Sequence, residues 1–330
     1  MSKLPIMIAC NDYDRVQPIR DGSIQVEGCE TNFLTLVSEE IFERAHHGAQ
    51  FDVCEMSMSR FMIRKSRGDD AYVGLPVFIS RSFRHNAIYI RTDRGIKEPA
   101  DLRGRLVGVP EYQMTAAFWA RGILADEYGV QPSDIRWRNG GLETPGRQEM
   151  VKLTLPADVE LKSIPQDRTL DELLAAGELD AIIASKRPKC FVNGHKHVAR
   201  LFPNFRQVEQ AYYRKTGIFP IMHLIGIRRE LAERHPWLAP SVYKAFDAAK
   251  RAAIPRLAEV GVNHDTLPWL QAEVEETKAL MGDDYWPYGV AANRKSLDAM
   301  LRYMSDQGLV ARPLTIDELF VPGADAQFKR

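Results

Sequence analysis

The sequence predicts an α/β protein folded as two lobes with a helical tail. Three observations carry that reading. The chain has 330 residues, enough to bury roughly three-quarters of its unfolded surface but large for a single core. Short apolar runs alternate with helical patterns up to about residue 228, as in sheets built from βαβ units. From Arg229 onward the pattern is almost wholly helical.

The elements follow in order. Leu4–Cys10 reads as a first strand. Glu39–His47 is helical, and Phe51–Ser57 is a strand running into a loop. Ala71–Phe78 is extended, because Pro76 removes a donor and breaks any helix there. Asn86–Arg91, rich in Ile and Tyr, is a strand. Leu106–Val109 is short and buried, and Pro110–Thr115 is its loop. Ala116–Tyr128 is a helix closed by Gly129, as expected of a residue just past a helix end. Ile135–Arg138 and Leu161–Ile164 are extended. Leu170–Ala176 is a helix stopping at Gly177, and Leu179–Ala184 is the strand after it. Phe219–Ile227 reads as a strand returning to the first lobe. Helices are expected at 229–235, 240–260, 267–281 and 294–307.

This order places residues 1–91 and 203–330 in lobe 1, with the helical tail wrapped around it. Residues 92–202 form an inserted lobe 2. Hinges are expected near Arg91–Gly95 and Phe202–Tyr213, and a ligand cleft at the carboxyl ends of the strands.

Lys plus Arg number 44, as do Asp plus Glu, so the net charge is zero. A dedicated nucleic-acid partner is therefore not expected, since such proteins are usually basic. The composition, 45% hydrophobic and 27% charged, is that of a folded protein rather than a disordered one. The longest apolar stretches, such as Gly217–Ile227, fall far short of the ~20 residues of a membrane span. Residues 1–10 do not read as a signal peptide. Cys10, Cys29, Cys54 and Cys190 are scattered and make no disulfide framework. Reduced thiols in the cytoplasm are the expectation.

Four constellations can carry chemistry. Phe78-Ile-Ser-Arg-Ser-Phe-Arg-His85 packs Arg81, Arg84, His85 and the hydroxyl of Ser82 into one short loop. The guanidinium fork matches a carboxylate or phosphate; a salt-bridged surface loop explains the run equally well. Gly108-Val-Pro-Glu-Tyr-Gln-Met-Thr115 brings a strand to a helix start, with Thr115 as its N-cap and a potential anion donor. Asn139-Gly-Gly-Leu-Glu-Thr-Pro-Gly-Arg147 and Ser185-Lys-Arg187 place Arg147 and Arg187 on loops that follow strands. In Thr216-Gly-Ile-Phe-Pro-Ile-Met-His223, His223 sits in an apolar stretch, where a core histidine is the common outcome and a general acid or base the functional one. No metal-ligand spacing, glycine-rich phosphate fingerprint or nucleophile elbow occurs.

Together these segments resemble the 4,5-dihydroxyphthalate decarboxylase family. The resemblance rests on Leu75-Pro-Val-Phe-Ile-Ser-Arg-Ser-Phe-Arg-His-Asn86, Asp101-Leu-Arg-Gly-Arg-Leu-Val-Gly-Val-Pro-Glu-Tyr-Gln-Met-Thr-Ala116, Ala120–Leu124, Glu127–Val130, Gly217–His223, His235-Pro-Trp237 and Asp284-Tyr-Trp-Pro-Tyr-Gly289. That family is similar in fold to the type II periplasmic binding proteins, which hold small solutes between two α/β lobes.

The resemblance implies loss of CO2 from 4,5-dihydroxyphthalate, in phthalate degradation, to give 3,4-dihydroxybenzoate. A hydroxylated aromatic acid would be the partner, and the helical tail could supply a homo-oligomer interface. Such a site needs cations for the retained carboxylate, and Arg81 and Arg84 are candidates with Arg147 or Arg187; Ser82 and Thr115 would add donors. It needs an acid near the ring carbon, His85 or His223. It needs a base or acceptor for the phenol, Glu111 or the other histidine. An apolar wall from Phe78, Tyr112 or Phe219 would suit the departing group. No organic cofactor is required, since the hydroxyls push electrons into the ring; a catalytic divalent metal is left open. Two alternatives use the same cleft: a non-catalytic solute-binding protein for an aromatic or dicarboxylic acid, and a pyrimidine-precursor synthase of the thiamine pathway.

Overall fold

A computed structural model describes residues 2–262 and 264–325. Two sheets organise the chain. The first contains β1 (Leu4–Cys10), β2 (Cys29–Thr35), β3 (Val53–Ser57), β4 (Tyr72–Arg81) and, from much later in the chain, Ile221–Arg228. The second contains β5 (Ile88–Arg91), β6 (Leu106–Val109), β7 (Arg136–Asn139), β8 (Leu161–Ser163), β9 (Ala181–Ile183) and β10 (Val198–Arg200). The late strand Ile221–Arg228 is β11. Strand order is β2-β1-β3-β11-β4 in the first sheet and β10-β5-β9-β6-β7-β8 in the second.

In the first sheet β1 runs parallel to β2 and β3, and β11 runs antiparallel between β3 and β4. The carboxyl ends of β1, β3 and β4 and the amino end of β11 therefore share one edge. In the second sheet β6 is parallel to β7 and β9, and β5 is antiparallel to β9. Crossovers of parallel strands cover these sheets on both faces, and the central strands are buried end to end, as in β3.

The strand at Ile88–Arg91 corrects the expected lobe boundary. It pairs with β9 and β10, not with the first sheet. The chain thus passes between sheets at residues 82–87, ahead of the expected hinge at 91–95. Its apolar Ile and Tyr side chains fit either core, so composition could not assign it. The second passage, expected as a hinge, is spanned by a helix at Phe205–Thr216 that ends on Gly217 at φ 68°. The strand β2 and the helix Met58–Ser66 were not foreseen; the amphipathic polar residues in both obscure their periods.

β4 leaves its ladder between Leu75 and Ser80, where its register with β11 slips. Pro76 has no N–H to offer there. The carbonyls freed by the slip find partners outside the sheet. Pro76 O accepts from Gly289 N (2.8 Å), Phe78 O from Trp286 Nε1 (3.0 Å) and Ile79 O from Arg15 Nη2 (2.6 Å). The Trp-Pro-Tyr-Gly run of the tail is thereby fixed against the first sheet.

The tail does more than wrap that sheet. Its helix Arg294–Asp306 packs on the helix Thr115–Tyr128 of the second sheet. A Cβ on Gly122 would lie 2.3 Å from the Tyr303 ring, so only glycine lets the two helices approach this closely. Arg302 and Tyr303 both hold Asp126. One buried apolar cluster runs through β1, β3, β6, Trp119, Trp137 and the tail residues Leu297, Met300 and Met304.

Candidate active site

The site is built at the shared edge of the first sheet, where the second sheet's loops face it. Ile225 lies opposite Glu55, and His223 opposite Ser57, across β3 and β11. Opposed residues point to one face, and strand alternation returns every second residue to it. Glu55 and His223 are therefore diagonal neighbours on one face, and His223 Nδ1 lies 2.5 Å from Glu55 Oε1.

Glu55 is fully buried, yet its carboxylate is surrounded by donors. Oε1 also accepts from Tyr13 Oη (2.7 Å) and Ser38 Oγ (3.1 Å). Oε2 accepts from Asn11 N (2.9 Å) and Cys10 Sγ (3.6 Å). Burial alone would raise this carboxyl, but the hydrogen bonds and charge from His223, then Asn11 and Tyr13, outweigh it and hold it below its ordinary value. Burial, followed by the Glu55 charge, pushes the Cys10 thiol up, so it stays a neutral donor. An ionised carboxylate only accepts. The Nδ1 of His223 must then carry the proton, and Nε2 is free to exchange one. The His223 side chain retains 20% of its exposure, and the Phe42 ring meets its imidazole edge-on at 4.9 Å.

A second cluster faces this one from across the lobes. Glu111, at the end of β6, is 1% exposed. Arg147 grips its Oε1 with Nε and Nη2 at 2.9 and 2.6 Å. Gln113 Nε2 donates to Oε2 at 2.5 Å. Arg60, from the helix after β3, reaches the same oxygen at 3.6 Å. The Arg60 guanidinium also lies 5.9 Å from the Phe42 ring centroid. Phe42 is thus a neighbour of both His223 and Arg60. Thr115 joins the lobes as well: its hydroxyl lies 3.0 Å from Ser57 Oγ and 2.8 Å from Ser59 Oγ.

The structure gathers some of the residues singled out by sequence and disperses others. His223, Glu111, Arg147 and Thr115 lie along the facing edges. Thr115 is the first residue of its helix, not the cap, which is Met114; its hydroxyl is drawn across to the two serines instead. Arg81 is buried, and its guanidinium donates to Phe219 O, Pro287 O and Asn293 Oδ1. Burial pushes it down to about 9. Its fork is occupied by carbonyls that anchor the tail. Arg84 is buried with Nε on Met222 Sδ (3.2 Å), and burial pushes it down to about 10. Ser82 donates its hydroxyl to Phe83 O.

His85 is 1% exposed, and neither ring nitrogen has a hydrogen-bond partner. Tyr128, Phe202 and Tyr212 meet its ring edge-on at 6.4, 5.3 and 5.3 Å. Burial pushes it down to about 4, so it is neutral. Arg187 is exposed on the loop after β9. Of the expected apolar wall, Tyr112 lies under the Arg121 guanidinium at 3.6 Å, and Phe219 stacks on Phe83 at 4.8 Å. Glu55, Phe42 and Arg60 were not singled out from the sequence. Glu55 carried one usable signal, a carboxylate inside an otherwise apolar strand. Among the described residues, no three His, Cys, Asp or Glu side chains gather as a metal-binding group, and no helix is long and apolar enough to cross a membrane.

Two doubly wound sheets, joined by two chain passages and facing each other across a polar site, define the two-lobe class of type II periplasmic-binding-protein-like folds. The periplasmic aliphatic sulphonate binding protein SsuA from Escherichia coli shares this fold, with a TM-score of 0.53 at 14% identity, over 98% of this chain and 99% of that one. No family model matches the chain. Among curated proteins it is 43% identical over 329 residues, the full length of both, to a 4,5-dihydroxyphthalate decarboxylase of Comamonas testosteroni. It is 44% identical over 214 residues to one of Pseudomonas putida, spanning 65% of this chain and 83% of that protein. The chain belongs to the 4,5-dihydroxyphthalate decarboxylase family.

Proposed function

We propose that this chain removes one carboxylate of 4,5-dihydroxyphthalate without oxidation, giving 3,4-dihydroxybenzoate and CO2, with His223 as the proton donor to the ring. The observation that carries this assignment is the His223–Glu55 pair. A buried carboxylate fixes the imidazole tautomer and leaves Nε2 without that partner on a side chain that is 20% exposed. The family membership supports the substrate.

Each carboxylate of the substrate is para to one hydroxyl. That hydroxyl pushes electron density onto the carbon bearing the carboxylate, wholly or partly as phenolate. His223 Nε2–H delivers its proton to that carbon. The C–CO2 bond then breaks, its electron pair returns to the ring, and aromaticity is restored. Protonated histidine and aryl carboxylate become neutral histidine, arene and CO2, and solvent reprotonates Nε2. The Glu55 carboxylate, 2.5 Å behind the ring, compensates the charge while Nε2 carries its proton. General acid catalysis of this kind contributes about 10²–10⁴-fold.

The test is turnover of His223→Gln against wild type, read as 3,4-dihydroxybenzoate by chromatography, with a parallel run in chelator to decide whether a divalent metal takes part. Turnover should fall about 10²–10⁴-fold while the substrate still stabilises the protein thermally. Unchanged turnover overturns the assignment of the acid. Stabilisation of the wild type without product would assign a solute-binding role instead.

A further inference from the structure

From the cluster opposite His223 we infer that Arg60 and Arg147 form the seat for the carboxylate that the substrate keeps, and so set the preference for an ortho-dicarboxylate. The inference rests on the cleft being the decarboxylation site. Two guanidiniums converge on one carboxylate, Glu111, at 3.6 and 2.6 Å. The trio therefore carries one positive charge in excess. Arg60 is 7% exposed, and its Nε has no hydrogen-bond partner within the chain. A buried guanidinium donor left unpaired is costly, and an anion at this spot would satisfy it.

Position supplies the second argument. Phe42 lies beside both His223 and Arg60, with its ring centroid 4.9 Å from the imidazole centroid and 5.9 Å from the guanidinium. A flat aromatic acid seated between His223 and Arg60, beside Phe42, would present one edge to Nε2 and the neighbouring edge to the arginines. Two carboxylates on adjacent ring carbons fit that division. One is held by the Arg60–Arg147 pair, and the other stands by His223 without a guanidinium, so its departure is not opposed by a tight ground-state contact. Arg147, with 34% of its side chain exposed, can give part of its fork to a ligand and keep part on Glu111. Arg60 comes from the helix after β3 of the first sheet and Glu111 from the loop after β6 of the second, so a simple latch between lobes is the competing explanation for the pair.

Binding of three inert probes separates these explanations by calorimetry on Arg60→Gln, with Arg60→Lys as a variant that keeps the charge without the fork. Phthalate carries both carboxylates, benzoate one and catechol none. Loss of a charge-assisted contact should weaken phthalate binding by about 10- to 100-fold and leave catechol unchanged. The Lys variant should lose less than the Gln variant, and KM for the substrate should rise more than kcat falls. Parallel loss of phthalate and catechol affinity assigns Arg60 to lobe closure and overturns the inference. Phthalate binding equal to wild type in both variants overturns it as well. If the wild type makes no product yet the phthalate-to-catechol split persists, the seat stands and the decarboxylation reading fails separately.

Discussion

Replacing Glu55 by Gln tests the centre of the mechanism with the smallest change in shape. In the native protein the two oxygens of Glu55 receive five donors: His223, Tyr13, Ser38, Asn11 and Cys10. A glutamine amide offers one acceptor and adds two donors. Either His223 Nδ1 or Asn11 N then faces an N–H group. If the amide turns its NH2 toward His223, Nδ1 becomes the acceptor and the proton moves to Nε2 of a neutral ring that no carboxylate supports. Turnover should fall by about 10²–10⁴-fold, the range of a general acid. Stability should fall by about 1.5–3 kcal/mol, the worth of a hydrogen bond to a charged group, which a domain stable by about 5–15 kcal/mol survives. The pH dependence has a definite sign. The native Glu55 carboxyl titrates below its ordinary 4.5, so its contribution is complete above that value and is lost as pH falls toward the native one. The melting-temperature gap between wild type and Glu55→Gln should thus be widest near neutrality and close toward pH 3. Thermal melts from pH 3 to 7 and product formation at neutral pH read both effects. A gap that widens on acidification, or turnover close to wild type, would show that His223 does not depend on this carboxylate.

Two further variants test the frame around the site. His85→Leu removes a buried imidazole whose native value is pushed down to about 4. Between about pH 6.5 and 4 the unfolded chain binds a proton there that the native protein refuses, so stability falls with pH by up to about 3 kcal/mol. The variant should melt higher than wild type at pH 5, show a smaller difference at pH 8 and keep its decarboxylation; abolished turnover would return His85 to the list of acids. Gly122→Ala would stabilise an isolated helix by roughly 1 kcal/mol, but here the new Cβ meets Tyr303 at 2.3 Å. Overpacking of this kind costs about 1–3 kcal/mol, so the variant should melt lower, and a higher melting temperature would refute the docking of the tail helix on Thr115–Tyr128.

Much of the architecture was legible because strand and helix periods are local. The glycines at 129 and 177 ended their helices with φ of 65° and 77°, as their positions after apolar periodic runs implied. The site was less legible because its partners are distant in sequence. His223 and Glu55 are 168 residues apart, and only the register of β11 on β3 brings them together. Arg81, Arg84 and His85 lie within five residues of one another, yet strand geometry and the turn after β4 send them to three separate environments. The planar fork of Arg81 fits a carboxylate. The same fork fits converging carbonyls, and those arrive from Phe219 and Pro287, far along the chain.

The occupation of Arg81 bears on how this fold supports chemistry. Asn293, held by Arg81 and by Gly289 O at 2.7 Å, fixes the root of the tail helix to the first sheet. At its far end Gln307 accepts from Arg121 Nε at 2.8 Å, and Arg121 Nη2 donates to Tyr112 O at 2.6 Å. Tyr112 follows Glu111 directly. The loop that presents Glu111 is therefore held from behind by a helix rooted in the opposite sheet. A solute carrier must open and close to load and release its cargo, whereas an acid catalyst gains from a donor and an anion seat kept at fixed separation. The tail joins the two sheets away from the cleft and so favours the second requirement. The buried residues Arg81, Asn293, Arg121 and Gln307 carry this connection between the sheets, so substitutions there should lower turnover through geometry rather than through contact with the ring.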